Sequence, residues 1–431
     1  MAKPDRAGPE AQRQSRAYQG WSTLIDVTQA RREPERVRAA LARKGAEEAF
    51  DRFLEIDLRW RDVLAKVEDL RARTRPKGRP TEEELVQLSS LKEELRSLET
   101  AFVELEQERN VALALVPNPP DSSVPDGISE EDSVEIRRVN APPEFSFAPR
   151  DHLELGGFDA ERGVRLSGAR FAYRMGSVAL LELSLYRYAL ALLVDRGFCP
   201  VLPPVLVREE AMYGTGFLPT DEVNIYQIES DGLYLTGTSE VALAGLHMDE
   251  ILEQTDLPLR YAGYSTCFRR EAGSAGRDTR GIFRVHQFDK VEMFLFVEPE
   301  ASAATHEEIL AIEEEIVQGL GLAYRVVNIA AGDLGPSASK KYDIEAYIPS
   351  QGRYREITSC SNTTDFQSRR LNVRFRAGKQ IRIPHTLNGT AMTARFLIAL
   401  METFQDVDGG VVIPEVLHAH GAPQTIRPKA L

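Results

Sequence analysis

The sequence predicts an α+β protein in which an N-terminal antiparallel coiled-coil helical hairpin precedes a larger core of helices and strands. Three observations support this prediction. Two heptad runs lie between residues 53 and 105, a proline-rich segment follows at 117–127, and helical and strand-like stretches alternate from about residue 150 onward. A chain of 431 residues also exceeds what one hydrophobic core usually organises, so two domains are expected.

Composition excludes several classes of protein. With 42% apolar and 28% charged residues the chain resembles an ordinary soluble protein. No apolar run approaches the roughly 20 residues that span a membrane, and the N-terminus lacks a secretion signal, so we expect a cytoplasmic protein with no membrane partner. Cys199, Cys267 and Cys360 form no CxxC pair, which favours reduced thiols over a zinc site or disulfides. The net charge of −13 means that any RNA must bind to local basic patches.

The chain begins with an irregular stretch. Residues 1–22 are polar and rich in Arg, Gln, Gly and Pro without periodicity, which indicates a disordered tail. A short helix is expected to start near Pro34, a residue suited to the first helical turn, and to stop at Gly45.

Apolar residues at alternating steps of three and four define the two long helices. Pro76, Gly78 and Pro80 interrupt the helical pattern between them, and Thr81 with Glu84 has the signature of a capping box. Two helices joined by so short a connection form an antiparallel hairpin. The first run is Phe53, Ile56, Trp60, Val63, Val67 and Leu70, and the second is Leu88, Leu91, Leu95, Leu98, Phe102 and Leu105.

The connection between these helices is basic. One interpretation is a solvated turn on a dimerisation coil. The other is a phosphate-binding tip on a projecting arm, because clustered cations bind nucleic-acid backbones. The basic residues are Arg71, Arg73, Arg75, Lys77 and Arg79.

A second hairpin is predicted at 267–292. The letters FRRE lead into a glycine-punctuated basic segment, and an alternating run returns. Because side chains alternate along a strand, His286, Phe288, Lys290 and Glu292 would share one face of the return strand. FRRE alone is also typical of an ordinary charged surface hairpin.

Three further stretches allow local explanations. Residues 236–240 (TGTSE) are predicted to begin a helix that Thr238 or Ser239 could cap. In the strand-like run 354–362, Glu356 would face away from Ser359 unless a bulge intervenes, and a glutamate there is often an exposed strand charge. Residues 385–395 form a glycine-containing turn that presents Arg395 at the start of an apolar helix.

Together these stretches resemble the class II aminoacyl-tRNA synthetases, and specifically the seryl-tRNA synthetases. FRRE, a basic loop and HQFDKVE resemble motif 2; the helix 178–196 with the strand 197–204 resembles motif 1; and 385–395 resembles motif 3, with one residue and one glycine fewer between Thr390 and Arg395 than is usual. The resemblance extends from about residue 23 to residue 424. It implies a helical tRNA-binding arm at 23–116, a linker at 117–149, and a class II catalytic domain at 150–431 with a mainly antiparallel sheet flanked by helices.

The resemblance also implies a function. Such an enzyme activates L-serine with ATP to seryl-adenylate and transfers the seryl group to the 3'-terminal adenosine of tRNA(Ser). Motif 1 implies a homodimer. Mg²⁺ is expected to accompany ATP, and no zinc is expected.

Residue roles follow from the resemblance, position by position. The catalytic residues are Arg269, Glu356 and Arg395. ATP is assigned to Arg269, Arg270, Glu271, Arg284, Val285, Phe288, Glu356, Ile357, Thr358, Ser359 and Arg395. Serine is assigned to Thr238, Ser239, Glu240, Arg269, Glu292 and Thr390. Magnesium is assigned to Glu356 and Ser359, and tRNA to Arg73, Arg75, Lys77 and Arg79.

Two other functions retain the same core. A carrier-protein acylating enzyme lacks the tRNA-binding arm and relies on cysteine-ligated zinc, whereas the arm is predicted here and suitable cysteine clusters are absent from the sequence. A non-catalytic RNA-binding paralogue is disfavoured by Arg269, Glu271, Glu292 and Glu356. The sequence does not decide between the cell's general enzyme and a second copy that serves a special pathway.

Overall fold

The computed structural model describes residues 25–75, 81–272 and 281–427. The chain divides into two compact units, Met1–Pro119 and Pro120–Leu431. The division falls inside the proline-rich segment, where the missing N–H groups of proline prevent a continuous helix. The predicted tail at 1–22 lies outside the described residues, and the domain limits at 116 and 149 stay predictions.

The N-terminal unit is helical. Thr81 Oγ1 accepts from the Glu84 backbone N–H and the Glu84 carboxylate accepts from that of Thr81, so the predicted capping box is present. The ion pairs Arg52–Glu108 and Arg71–Glu99 run in opposite chain directions, which makes the two long helices antiparallel and confirms the predicted hairpin. The helices are α1 Val27–Arg32, α2 Pro34–Ala42, α3 Glu47–Arg73 and α4 Glu82–Ala114.

A buried carboxylate fastens the first helix to this hairpin. Asp57 is fully buried and accepts two hydrogen bonds of 2.8 Å from Arg31 and one of 2.7 Å from Arg109. The Arg109 guanidinium also lies 4.7 Å from the Trp60 ring centroid. Burial opposes ionisation, but the hydrogen bonds from both arginines lower the pKa of Asp57. A buried charge is tolerated when it is paired in this way.

The C-terminal unit is built on one large sheet. Among the described residues, eight strands pair in the order β1-β5-β6-β7-β8-β4-β3-β2. All neighbours are antiparallel except β2 and β3, which confirms the mainly antiparallel sheet. In chain order the strands are β1 Val134–Val139, β2 Cys199–Val201, β3 Leu259–Phe268, β4 Gln287–Val297, β5 Tyr324–Asn328, β6 Lys340–Ile348, β7 Arg353–Thr364 and β8 His385–Thr393.

Helices cover this sheet and smaller elements extend it. The helices of the C-terminal unit are α5 His152–Leu155, α6 Ala160–Ser167, α7 Ser177–Asp195, α8 Glu209–Thr215, α9 Glu240–Ala244, α10 Ser302–Gly319, α11 Phe366–Arg370 and α12 Ala394–Thr403. Apolar side chains of α7, α10 and α12 pack with the sheet strands into one buried core. Short strands pair into four small sheets among the described residues. Two have two strands, Phe158–Asp159 with Tyr173–Arg174 and Val411–Val412 with Thr425–Ile426. Two have three strands, Leu233–Leu235 between Leu206–Arg208 and Tyr226–Ile228, and Arg374–Ala377 between Ile251–Glu253 and Gln380–Arg382. Single 3₁₀ turns lie at Glu130–Asp132, Glu222–Asn224, Gly245–His247, Gln254–Asp256, Pro299–Ala301, Ala331–Asp333, Pro349–Gln351 and Glu415–His420.

Two sequence predictions need adjustment. The stretch 117–149, predicted to be a linker, contains the edge strand β1, which pairs with β5. Five of its six residues are exposed, so it lacks the buried alternation by which a strand is recognised. The strand predicted at 197–204 shortens to β2, because prolines supply no N–H groups for continued pairing.

Helix α7 is apolar on most of its surface. It has 19 residues and is long and apolar enough to cross a membrane, but core helices of soluble proteins pass the same test. Half of its most apolar window is buried against the core, while Leu180 and Leu183 remain exposed. The predicted bounds, 178–196, lie one residue from those observed.

Candidate active site

One cavity of about 410 Å³ gathers most of the predicted site residues. It lies over strands β4, β6, β7 and β8. Ser239 and Arg270 are not among its lining residues: Ser239 is buried and donates to the Gly263 carbonyl at 3.3 Å, and the Arg270 side chain is exposed. The predicted residues that line the cavity are Thr238, Glu240, Arg269, Glu271, Arg284, Val285, Phe288, Glu292, Glu356, Ile357, Thr358, Ser359, Thr390 and Arg395.

The register of β3 and β4 sets one wall. Phe288 pairs with Cys267 and Glu292 with Gly263, so the predicted alternation is confirmed for Phe288, Lys290 and Glu292, which all line the cavity. His286 precedes β4 and is not a lining residue. Arg269 follows β3 directly. Its Nε donates to the Gly237 carbonyl at 3.1 Å, and its guanidinium lies 5.2 Å from the Phe288 ring centroid.

Two β-bulges place the opposite wall. In β7, Glu356 pairs with Glu345 but Thr358 pairs with Ile344, so Ile357 is the extra residue. The bulge reverses the alternation of side chains, so Glu356 and Ser359 lie on the same face of β7. Strict alternation would place them on opposite faces. In β8, Thr390 pairs with Glu292 and Met392 with Val291, so Ala391 is extra and both Thr390 and Thr393 line the cavity.

A dense polar cluster lies at the base of the cavity. The Lys290 ammonium forms an ion pair with Glu292 and lies 3.5 Å from Thr390 Oγ1, which itself donates to Glu292 at 3.3 Å. Nearby, Glu240 accepts a hydrogen bond of 2.6 Å from Gln367. Burial raises the pKa of Glu240 to about 7, and the charge of Glu292 contributes. The Thr238 hydroxyl accepts from the Glu240 backbone N–H at 3.2 Å, whereas Ser239, the N-cap residue of α9, makes no capping side-chain hydrogen bond.

Cations and carboxylates alternate around the other half of the cavity. Arg395 donates to the Glu356 carbonyl at 3.0 Å and lies 3.3 Å from its carboxylate. The Glu356 side chain is 43% exposed toward the open cavity. Partial desolvation in the cavity opposes its ionisation, but Arg395, Lys341 and Arg269 outweigh that effect and lower the pKa of Glu356 to about 2. Arg284 donates to Glu271 at 2.6 Å.

The sequence of the chain matches two protein-family models. Residues 24–120 match the family model described as the seryl-tRNA synthetase N-terminal domain, and residues 224–404 match that of the tRNA synthetase class II core domain (G, H, P, S and T). The serine-tRNA ligase of Thermobifida fusca (strain YX) is 48% identical over 422 residues, which cover 94% of this chain and 100% of that protein. The chain belongs to the seryl-tRNA synthetase family.

Other seryl-tRNA synthetases are similar to this chain over more than nine tenths of its length. The serine-tRNA ligase of Kocuria rhizophila is 45% identical over 94% of this chain and 100% of its own. The structure of the Pyrococcus horikoshii seryl-tRNA synthetase complexed with ATP superposes with a TM-score of 0.89 at 40% identity, covering 94% of this chain and 100% of that one. The Naegleria fowleri enzyme in complex with AMP gives 0.83 at 33% identity, covering 92% and 96%. These similarities confirm the predicted class II fold and the enzyme class, and they do not support the carrier-acylating or non-catalytic alternatives.

The synthetase site contains residues that the motifs did not assign. Lys290 is one of them, although the alternation of the return strand already placed it beside Glu292. Lys341 lies 2.9 Å from Asp343, and Asn388 and Phe283 also line the cavity. Arg395 lies over the Phe283 ring at 4.9 Å. Lys341, Asn388 and Phe283 carry no sequence signal that assigns them to the site, because tertiary packing brings them to the cavity.

The basic connection of the synthetase's helical hairpin is only partly described. Arg73 pairs with Asp69 at 3.3 Å, Arg71 pairs with Glu99, and Arg75 is exposed. Lys77 and Arg79 lie outside the described residues. Exposed pairs of this kind contribute about 0–1 kcal/mol, so a phosphate can displace them.

Proposed function

We propose that the cavity activates L-serine with ATP and that the enzyme transfers the seryl group to the 3'-terminal adenosine of tRNA(Ser). The observation that carries this proposal is the division of one cavity into two halves. One half holds the buried cluster Lys290–Glu292–Thr390 beside Glu240, which suits a small zwitterion. The other holds Arg269, Glu356 and Arg395, which suit a nucleotide and its phosphates.

The reaction needs positioning rather than a protein nucleophile. A carboxylate oxygen of serine attacks the α-phosphorus of ATP, the bond from that phosphorus to the bridging oxygen breaks, and pyrophosphate leaves with the electron pair. Arg269 is proposed to hold the serine carboxylate and the α-phosphate together through its planar guanidinium. The Gly237 carbonyl engages its Nε and so fixes the plane of the group.

The nucleotide half supplies stacking and charge. We propose that adenine stacks on Phe288, that Glu271 accepts from the adenine amino group, and that Arg284 reaches the γ-phosphate. We also propose that Arg395 covers the other face of adenine; in this structure the ring that Arg395 faces is that of Phe283. Binding of adenine between Arg395 and Phe288 would require Arg395 to exchange that ring for the base.

A magnesium ion fits the remaining donors. Among the described residues, no group of three or more His, Cys, Asp or Glu side chains could hold a metal ion. Mg²⁺ at a nucleotide site, however, takes one or two protein oxygens together with phosphates and water. The β7 bulge places the ionised Glu356 carboxylate and the Ser359 hydroxyl on one face, so these two would hold it. When bound, the ion neutralises phosphate charge.

Serine recognition is assigned to the buried cluster. The ammonium of serine would be paired by Glu240 and Glu292, and its hydroxyl by Thr390 and Glu292. A substrate that lacks the hydroxyl leaves these buried polar groups unsatisfied, which is a strong discriminator.

Glu292→Ala is expected to raise the KM for serine by at least about tenfold and to change the KM for ATP little, because the side chain belongs to the serine half. Steady-state pyrophosphate exchange with each substrate varied in turn measures both constants. Glu292→Gln keeps the shape and isolates the charge. If both Michaelis constants rose equally, Glu292 would belong to the scaffold instead.

Serine binding is also expected to depend on pH through Glu240. A raised pKa of about 7 means that the carboxylate is protonated at lower pH, and only its ionised form attracts an ammonium. Between about pH 8 and about pH 6 the KM for serine should therefore rise about tenfold. Glu240→Gln should show a high KM that varies little over this range. An unchanged pH profile in that variant would assign the titration to another group.

Three further properties are proposed with the activity. The basic connection of the arm binds phosphates of tRNA(Ser), and the protein acts in the cytoplasm. It forms a homodimer through α7, whose exposed Leu180 and Leu183 need a partner surface, and light scattering of the purified chain measures that state.

One pair of assays tests the whole proposal. Serine-dependent exchange between ATP and pyrophosphate reports adenylate formation, and charging of total tRNA with labelled serine reports transfer. Both activities together support a general synthetase. Exchange without charging would support a second copy that serves a special pathway.

A further inference from the structure

A buried histidine outside every sequence motif supports the return leg of the motif 2 hairpin. His152 begins α5, and its side chain is 6% exposed. Its Nε2 lies 3.2 Å from the backbone nitrogen of Ile282, and its Nδ1 lies 2.9 Å from Glu402 Oε1. The imidazole therefore joins the hairpin to α12, the helix that carries Arg395.

The partners determine the tautomer. The Ile282 N–H can only donate, so Nε2 must accept through its lone pair. The proton then lies on Nδ1 and is donated to Glu402. Both ring nitrogens are therefore hydrogen-bonded: Nε2 accepts from Ile282, and Nδ1 donates to Glu402.

Glu402 is placed to orient this ring. It is fully buried in the last turn of α12, where its polar oxygens need hydrogen-bond donors. It is compensated by three donors: the backbone and ring nitrogens of His152, at 3.1 and 2.9 Å, and the Ser350 backbone at 3.1 Å. The carboxylate consequently fixes both the backbone and the ring of His152.

The contact lies directly behind the nucleotide half of the cavity. Ile282 precedes Phe283, whose ring lies 4.9 Å from the Arg395 guanidinium and 3.9 Å from that of Arg355. Gly281 has a φ of +88°, and a Cβ at that position would lie 2.6 Å from His152 Nε2. A glycine is required for so close an approach.

We infer that His152, oriented by Glu402, is a positioning residue for ATP binding in this synthetase. His152 holds the segment 281–285 in the position in which Phe283 contacts Arg395 and Arg284 pairs with Glu271. The inference rests on the proposed function. In the described structure the His152 side chain hydrogen-bonds to Ile282 and Glu402. We therefore expect replacement of His152 to have little effect on the serine half of the cavity.

Two amide substitutions separate the ring's two bonds. The oxygen of glutamine can reach the position of Nε2 and accept from Ile282, whereas asparagine can reach only Glu402. In serine-dependent pyrophosphate exchange we expect His152→Asn to raise the KM for ATP about tenfold and that for serine less than about twofold. His152→Gln should recover most of the loss. Calorimetric titration of ATP without serine gives a readout that is independent of turnover.

Glu402→Gln provides a second test if His152→Asn does not fold. It keeps the shape and weakens the orienting contact, so it should raise the KM for ATP by a smaller factor. Wild-type ATP affinity in the folded variants, or equal changes for both substrates, would overturn the inference. A wild-type enzyme without serine-dependent exchange would instead overturn the proposed function.

Discussion

Arg269→Ala is expected to lower kcat/KM for amino-acid activation by about two to three orders of magnitude. Preorganised donors aimed at a reacting phosphate or oxyanion are worth about 3 kcal/mol each, and Arg269 is proposed to contact both reacting partners. Its geometry supports this role: Nε is held by Gly237 and the guanidinium lies beside Phe288, so little reorganisation is needed on binding. Pyrophosphate exchange and single-turnover adenylate formation both measure the loss.

Arg269→Lys is the matched control for charge. Lysine keeps the positive charge but cannot give two parallel hydrogen bonds from a planar fork, so its activity should lie closer to alanine than to the wild type. The fold should survive in both variants, because the cation–π contact with Phe288 is worth only about 0.5–2 kcal/mol. Unchanged exchange in Arg269→Ala would remove Arg269 from the catalytic group.

Features with a regular period could be predicted from the sequence. The heptads placed the helical hairpin, with Phe53, Ile56 and Val67 at most 1% exposed, and the two-residue alternation placed Phe288, Lys290 and Glu292 on one face of β4. Both depend on local chain geometry, which sequence spacing encodes directly.

Features that depend on one extra residue or on a distant partner could not be predicted from the sequence. The bulges at Ile357 and Ala391 decide that Glu356 with Ser359, and Thr390 with Thr393, line the cavity, yet each arises from pairing with another strand. His152 and Glu402 are 250 positions apart, and neither belongs to a motif. Strand β1 is an edge strand with exposed residues, so it had no apolar alternation to reveal it.

The shortened motif 3 turn has a structural counterpart in β8. Ala391 is accommodated as a bulge, after which Thr393 caps α12 by accepting from the Arg395 backbone N–H at 3.3 Å. Arg395 thus begins the helix at the cavity edge. The bulge thus leaves both Thr390 and Thr393 lining the cavity.

Removing the charge of the arm's connection is expected to impair tRNA charging while adenylate formation continues. Arg73, Arg75, Lys77 and Arg79, replaced together by glutamine, would lose up to four phosphate contacts. The slope of log K against log salt for tRNA binding should then fall by up to about 3 units, and binding at moderate salt should weaken by a factor on the order of 100 or more. Filter binding across a salt series, with charging and exchange assayed on the same preparation, measures all three.

The matched control removes four arginines of the N-terminal unit that lie outside the connection, two in α2 and two in α3. All four form ion pairs: Arg36 with Glu33, Arg38 with Glu35 and Asp51, and both Arg52 and Arg59 with Glu108. Their replacement by glutamine changes the net charge equally but leaves the connection intact, so the salt slope should stay near that of the wild type. If both variants lowered charging alike, the effect would come from overall charge. If the connection variant charged tRNA(Ser) normally, the arm would not be the recognition element, and tRNA selection would have to come from the catalytic unit.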